Sequence, residues 1–142
     1  MLFVGFLFAI LAQKYVFVNA DLKSEIITGL LFIIIALLLM LTRHQVSVNY
    51  LTPTFVGVGI GLVESRFQLF FVKLSRHCQR GTSQSTYFLA TELGLAIGLT
   101  LGWSCLYSDD RIALILCLGI ILLSLIFYNL FTHRWYMQNK NR

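Results

Sequence analysis

The sequence predicts an all-α, polytopic membrane protein with about five transmembrane helices in a single domain, residues 1–142. Of its 142 residues, 58% are apolar and 12% charged, against roughly 45–50% and 25% in soluble domains. A soluble chain of this length leaves too much surface exposed to cover that apolar area. The apolar residues fall in five runs with the charges mostly between them. No run alternates polar and apolar residues as a barrel strand does, so helices are expected.

Each apolar run is close to the length of about 20 residues that the bilayer core requires of a helix. We place the spans at residues 1–18, 26–42, 50–72, 86–107 and 112–131. The first span is interrupted by Gln13 and Lys14, and it lacks the basic residues that begin a signal peptide, so no cleavage is expected. In the third span, Pro53 near the outer end predicts the start of the helix.

Lysine and arginine residues are distributed unequally between the two sides of these spans. Arg43 and Arg111 lie on one side, Arg66 lies inside the third span, and the others lie on the opposite side: Lys14, Lys23, Lys73, Arg76, Arg80, Arg134, Lys140 and Arg142. Because basic loops stay in the cytoplasm, we expect a cytoplasmic C-terminus and an external N-terminus. A first helix that begins at Met1 without flanking charges is more typical of the interior of a longer polypeptide, and we expect the chain to be a fragment.

One segment resembles a known transporter family. Residues 73–98, KLSRHCQRGTSQSTYFLATELGLAIG, contain an Arg-Gly-Thr step at residues 80–82, and then Glu92, Gly94 and Gly98. This pattern is similar to the cytoplasmic loop and following helix near the C-terminal end of bacterial major facilitator superfamily transporters, especially the drug-efflux-like branch. The stretch AQKYVFVNADLKSE is similar to a degenerate copy of the family's glycine-rich loop motif, with Gln13 and Lys14 where the family has an acid and a base.

The resemblance implies a partial major-facilitator half-bundle. The five spans would correspond to the eighth to twelfth of the family's twelve helices, in the orientation that the charge count predicts. It implies proton-coupled export of a small solute or drug across the bacterial cytoplasmic (inner) membrane. It also implies that an N-terminal half of the carrier is missing from this chain and would be its partner.

The third span carries polar residues on one face. Gly57, Gly61, Glu64 and Gln68 fall within about 60° of one another around a helix, whereas Arg66 lies about 200° from Glu64. We interpret Gly57 and Gly61 as packing positions that let a neighbouring helix or a substrate approach closely. Ionisable residues inside a membrane are functional by default. We therefore interpret Glu64 and Gln68 as lining a substrate or proton pathway, and Arg66 as holding a carboxylate or an anionic substrate. The alternatives are a structural ion pair with another helix, and for Arg66 a position at the cytoplasmic surface.

The fourth span combines a glycine stripe with one acid. Gly94, Gly98 and Gly102 recur every four residues, a spacing typical of a helix-packing seam. Glu92 lies about 160° from that seam. We interpret Glu92 as a proton-coupling or substrate-contact residue, with a structural hydrogen bond to a neighbouring helix as the alternative.

The loop between the third and fourth spans is basic. Lys73, Arg76 and Arg80, followed by Gly81, are expected to fix the topology and to meet anionic headgroups. A more specific alternative is that these residues form a gating salt bridge in the inward-closed state of a carrier.

Transport is the function that these features favour. We expect no cofactor, no metal site, no nucleic-acid partner and no enzymatic activity, because the sequence has neither a phosphate-binding loop nor metal-ligand spacing among its cysteines. A non-catalytic membrane subunit or an inactive truncated product remains an alternative. A membrane-bound transferase is a further one, but Asp109 and Asp110, its best paired acids, are expected to form a solvated turn.

Overall fold

The computed structural model of the protein describes residues 1–17, 21–42, 46–75, 77–106 and 110–139. All regular structure in these ranges is helical, which confirms the predicted all-α class. The helices are α1 (Leu2–Tyr15), α2 (Leu22–Thr42), α3 (Val46–Leu74), α4 (Arg80–Leu106), α5 (Asp110–Phe127) and α6 (His133–Asn139). A short 3-10 turn (His77–Gln79) precedes α4, and a π-helical turn (Tyr128–Thr132) joins α5 to α6 in one continuous rod. Several predicted charges lie outside the described residues: Arg43, Arg76, Asp109, Lys140 and Arg142.

Three helical stretches in the described part of the chain are long and apolar enough to cross a membrane. They are Leu22–Thr42, Val46–Leu74 and Arg111–Asn139. The predicted first span is helical but α1 has only 14 residues. The predicted fourth span corresponds to α4, whose 27 residues include glycine, serine and threonine among the apolar ones. Membrane crossing by α1 and α4 therefore stays a prediction.

The start of α3 corrects one expectation. The helix begins at Val46, so Pro53 lies inside it and does not mark its beginning. Proline in a helix removes one main-chain donor, and nearby the Thr54 hydroxyl donates to the main-chain oxygen of Tyr50. The helix tolerates Pro53 and includes about two turns before it, residues 46–52.

Helix α3 is the centre of the fold, with α1 and α2 packed against it. Helices α1 and α3 run in parallel, since Gly5 faces Gly57 and Gln13 bonds to Ser65 at the same sequence offset. Helices α2 and α3 form an antiparallel hairpin, in which Gly29 faces Gly59. Glycines at both crossings let the helix backbones come close, as is common in membranes, where small residues replace the missing hydrophobic drive between helices.

The last rod completes the bundle against the start of α2. Ile26, Leu30 and Tyr128 form a buried cluster there, surrounded by Leu22, Ile27, Val63, Phe67, Ile121 and Leu125. Further along α3, Phe70 stacks on Tyr136 with ring centroids 4.8 Å apart. Most of α4 and the outer face of α5 are exposed. The molecule therefore has a packed side, made by α1, α2 and α3, and an open side, made by α4 and α5.

Candidate functional site

Glu64 lies at an open cavity between α3 and α4. The cavity measures about 580 Å³, a size and composition typical of small-molecule sites. Its walls are apolar except at three residues, Glu64, Tyr87 and Thr91, and the apolar lining comprises Ile33, Ile60, Val63, Phe67, Phe71, Ala90 and Leu95. The Tyr87 hydroxyl donates to the main-chain oxygen of Glu64 over 3.3 Å and so ties α4 to α3 beside the carboxylate.

The carboxylate of Glu64 is exposed and forms no hydrogen bond or ion pair within the described ranges of the chain. A carboxylate without such partners can accept hydrogen bonds from a bound molecule or contact a cation. The apolar lining lowers the local dielectric, which strengthens any such contact.

A second, smaller cavity lies on the other side of Glu64, between α1 and α3. It measures about 210 Å³ and is lined by Phe6, Ala9, Ile10, Gln13, Gly61, Glu64, Ser65 and Gln68. The Gln13 side-chain amide donates to the Ser65 hydroxyl, which donates in turn to the main-chain oxygen of Leu62 at 3.3 Å. The structure thus brings the predicted pair Glu64 and Gln68 to one cavity. Glu64 alone lines both cavities.

Arg66 is paired with a residue that sequence reasoning did not select. Its guanidinium Nε forms an ion pair with Oε2 of Glu25, in the first turn of α2. The Glu25 side chain is 0% exposed and that of Arg66 is 23% exposed. The second oxygen of Glu25, Oε1, has no hydrogen-bond partner among the described residues. Arg66 therefore serves as the counter-charge of a buried acid, which is the ion pair with another helix given above as an alternative.

Two sets of predicted packing glycines differ in their surroundings. A methyl group in place of the Gly57 hydrogen would lie 2.5 Å from the main-chain oxygen of Leu2, and one at Gly61 would lie 2.7 Å from Cβ of Ala9. Both glycines thus face α1. Within the described chain, nothing lies within 4 Å of the corresponding position at the α4 glycines, namely Gly94, Gly98 and Gly102. The α4 stripe has no partner helix in this part of the chain.

Glu92 lies apart from Glu64. It is exposed on α4 and lines neither cavity next to Glu64, although its neighbour Thr91 does. Lys73, Arg80 and Gly81 are exposed at the junction of α3 and α4, whereas Arg76 lies outside the described residues. The structure therefore separates the two acids that the sequence placed in one pathway.

A metal centre has no support in the described ranges, which contain no group of three or more His, Cys, Asp or Glu side chains able to hold an ion.

Two features of the site escaped the sequence reasoning. Glu25 lies one residue before the predicted second span, 26–42. The antiparallel pairing of Gly29 with Gly59 brings the start of α2 to the end of α3 and places Arg66 opposite the first turn of α2, which contains Glu25. The Gln13–Ser65 bond follows in the same way from the matched spacing of small residues in α1 and α3.

A comparison with known protein families, with curated proteins and with solved structures finds no match for this chain.

Proposed function

We propose that this chain is part of a secondary active transporter, in which Glu64 contacts the transported solute or its coupling proton. The observation that carries the proposal is the open, largely apolar cavity between α3 and α4 with one carboxylate in its wall. That carboxylate forms no hydrogen bond or ion pair inside the described part of the chain.

Two ionisable residues of α3, Glu64 and Arg66, provide the physical reason. A charge in the hydrocarbon core of a bilayer is costly, by up to roughly 2.5–3.5 kcal/mol at its centre on insertion scales. Arg66 offsets that cost through Glu25, whereas the Glu64 carboxylate lies at the two cavities without a hydrogen-bond or ion-pair partner among the described residues. A residue kept at such cost without a structural partner is best explained by contact with something that enters the cavity.

The proposed transporter is of the major facilitator type, exporting a small solute or drug in exchange for protons across the bacterial inner membrane. The basic loop after α3 and the distribution of lysine and arginine support this type and an orientation with the C-terminus in the cytoplasm. Carriers of this kind bind substrate between two repeats. Additional helices, such as an N-terminal half, would complete the pathway against the exposed side of α4 and α5.

The test is proton-driven efflux of a fluorescent cationic dye from everted vesicles that contain the chain. A parallel sample carries the chain joined to any coding sequence found directly upstream of it. We expect efflux that Glu64→Gln abolishes and that Asp21→Asn, the same loss of charge at an exposed residue before α2, leaves unchanged. Efflux that survives Glu64→Gln in the active form would refute the proposed role of this acid, and no efflux from either form would favour a non-catalytic subunit.

A further inference from the structure

A third cavity lies where α3 ends and α4 begins, and we call it the polar cavity. It is a cavity of about 310 Å³ lined by Phe71, Leu74, Ser75, Gln79, Thr82, Ser83 and Thr86. Phe71 also lines the apolar cavity between α3 and α4, so the two cavities adjoin at this ring. Together they form one amphipathic groove, which is rich in hydroxyl groups at the loop end and aliphatic deeper between the helices.

The loop end of the groove is positively charged. Residues 65–91 contain no aspartate or glutamate, and they include Arg66, Lys73, Arg76 and Arg80. Lys73 and Arg80 are exposed and are the immediate sequence neighbours of lining residues Leu74 and Gln79. Arg66 is already paired with Glu25, whereas Lys73 and Arg80 form no ion pair among the described residues and add positive charge to the end of α3 and the start of α4, where this cavity lies.

The polar cavity also offers hydrogen-bond donors. Three of its hydroxyls donate to main-chain oxygens: Ser75 to Val72, Ser83 to Phe71 and Thr86 to Thr82. The Thr82 hydroxyl and the Gln79 amide make no hydrogen bond within the described chain. These two side chains can donate to an oxygen of a bound anion.

We propose that this groove binds an anionic phospholipid. The phosphate would occupy the polar cavity, near Thr82, Gln79 and the basic side chains, and one acyl chain would enter the apolar cavity at Phe71. Basic pockets between helices on the cytoplasmic side of a membrane are suited to anionic headgroups, and the adjoining apolar cavity favours a lipid over a free phosphate. The acyl chain would share the apolar cavity with the solute of the transport proposal, whereas the phosphate would lie in the cavity at the start of α4, which Glu64 does not line.

The test is native mass spectrometry of the detergent-purified chain, titrated with phosphatidylglycerol, with phosphatidylcholine of the same acyl chains, or with glycerol phosphate. We expect phosphatidylglycerol to bind at least tenfold more tightly than either of the others. Each basic residue near a charged lipid surface changes affinity by about fivefold. The double variant Lys73→Gln, Arg80→Gln is therefore expected to bind phosphatidylglycerol roughly 25-fold more weakly.

The matched control removes two exposed basic residues on the same predicted side, Lys14→Gln with Arg134→Gln, and is expected to leave binding within about twofold. A smaller perturbation, Thr82→Val, keeps the side-chain shape and removes the hydroxyl. It should weaken binding several-fold, while Thr100→Val, an exposed threonine further along α4, should not.

Three outcomes would overturn the inference. Equal binding of the two lipids would remove the role of the charge. An equal loss in the Lys14, Arg134 control would reduce the effect to general surface attraction. Binding of glycerol phosphate as tight as that of phosphatidylglycerol would show a site for soluble phosphates and not for a lipid.

Discussion

The buried ion pair between Glu25 and Arg66 permits the sharpest prediction about stability. Replacing Arg66 by methionine keeps most of the side-chain volume but leaves a fully buried carboxylate without its counter-charge. Breaking one side of a buried pair costs about 3–5 kcal/mol. Because Arg66 is itself 23% exposed, we expect the lower end, about 3 kcal/mol, which is roughly a hundredfold change in the folding equilibrium.

The double variant Glu25→Leu, Arg66→Met should recover most of that loss. Replacing a whole buried pair by apolar residues of similar volume is often neutral, so we expect the double variant within about 1 kcal/mol of the native chain. The assay is equilibrium unfolding by steric trapping in bicelles. The control cycle combines Arg66→Met with Glu92→Leu on α4, where the two effects should add. A loss below about 1 kcal/mol for Arg66→Met, or additivity of the Glu25→Leu and Arg66→Met effects, would contradict a stabilising ion pair between Glu25 and Arg66.

Three further predictions concern the packing glycines, a buried hydroxyl group and the orientation in the membrane. Gly57→Leu should cost about 2 kcal/mol because the new side chain collides with the backbone of α1, whereas Gly94→Leu should cost less than about 0.5 kcal/mol; an equal loss would reveal a partner helix for α4. Tyr128→Phe should be neutral within about 0.5 kcal/mol, because the hydroxyl has no hydrogen-bond partner in the described chain, while Tyr128→Leu should cost more than about 1 kcal/mol; equal losses would assign a bond to the hydroxyl. In single-cysteine chains, a membrane-impermeant maleimide should label Cys78 in everted vesicles and not in intact cells, and should leave Cys117 unlabelled in both; the reverse pattern at Cys78 would contradict the predicted orientation.

The helices follow from the apolar runs because each run is near membrane-spanning length and lacks strand alternation. Their ends follow less well, since a helix continues past the apolar run whenever its polar residues can reach the interface. Helix α3 begins before Pro53 for this reason, whereas α2 can include Glu25 in its first turn because this buried side chain is paired with Arg66. The π-helical turn at Tyr128–Thr132 contains neither proline nor glycine, so the sequence gives no signal for it.

The site was predictable in part. The shared face of Glu64 and Gln68 follows from helical geometry, and the structure places both residues at one cavity. The partner of Arg66 depends on the register between α2 and α3. The position of a residue around its own helix gives no information about that register. The same limit applies to Glu92, because its distance from Glu64 depends on how α4 leans against α3. Tertiary packing, and not local pattern, decides these contacts.

The most direct test of the transport proposal is binding of a fluorescent cationic dye to the purified chain in nanodiscs, with Glu64→Gln compared against Asp21→Asn. We expect saturable binding that is lost in Glu64→Gln and kept in Asp21→Asn. Binding with the same affinity in Glu64→Gln would contradict the assignment of Glu64 as the working residue of the cavity.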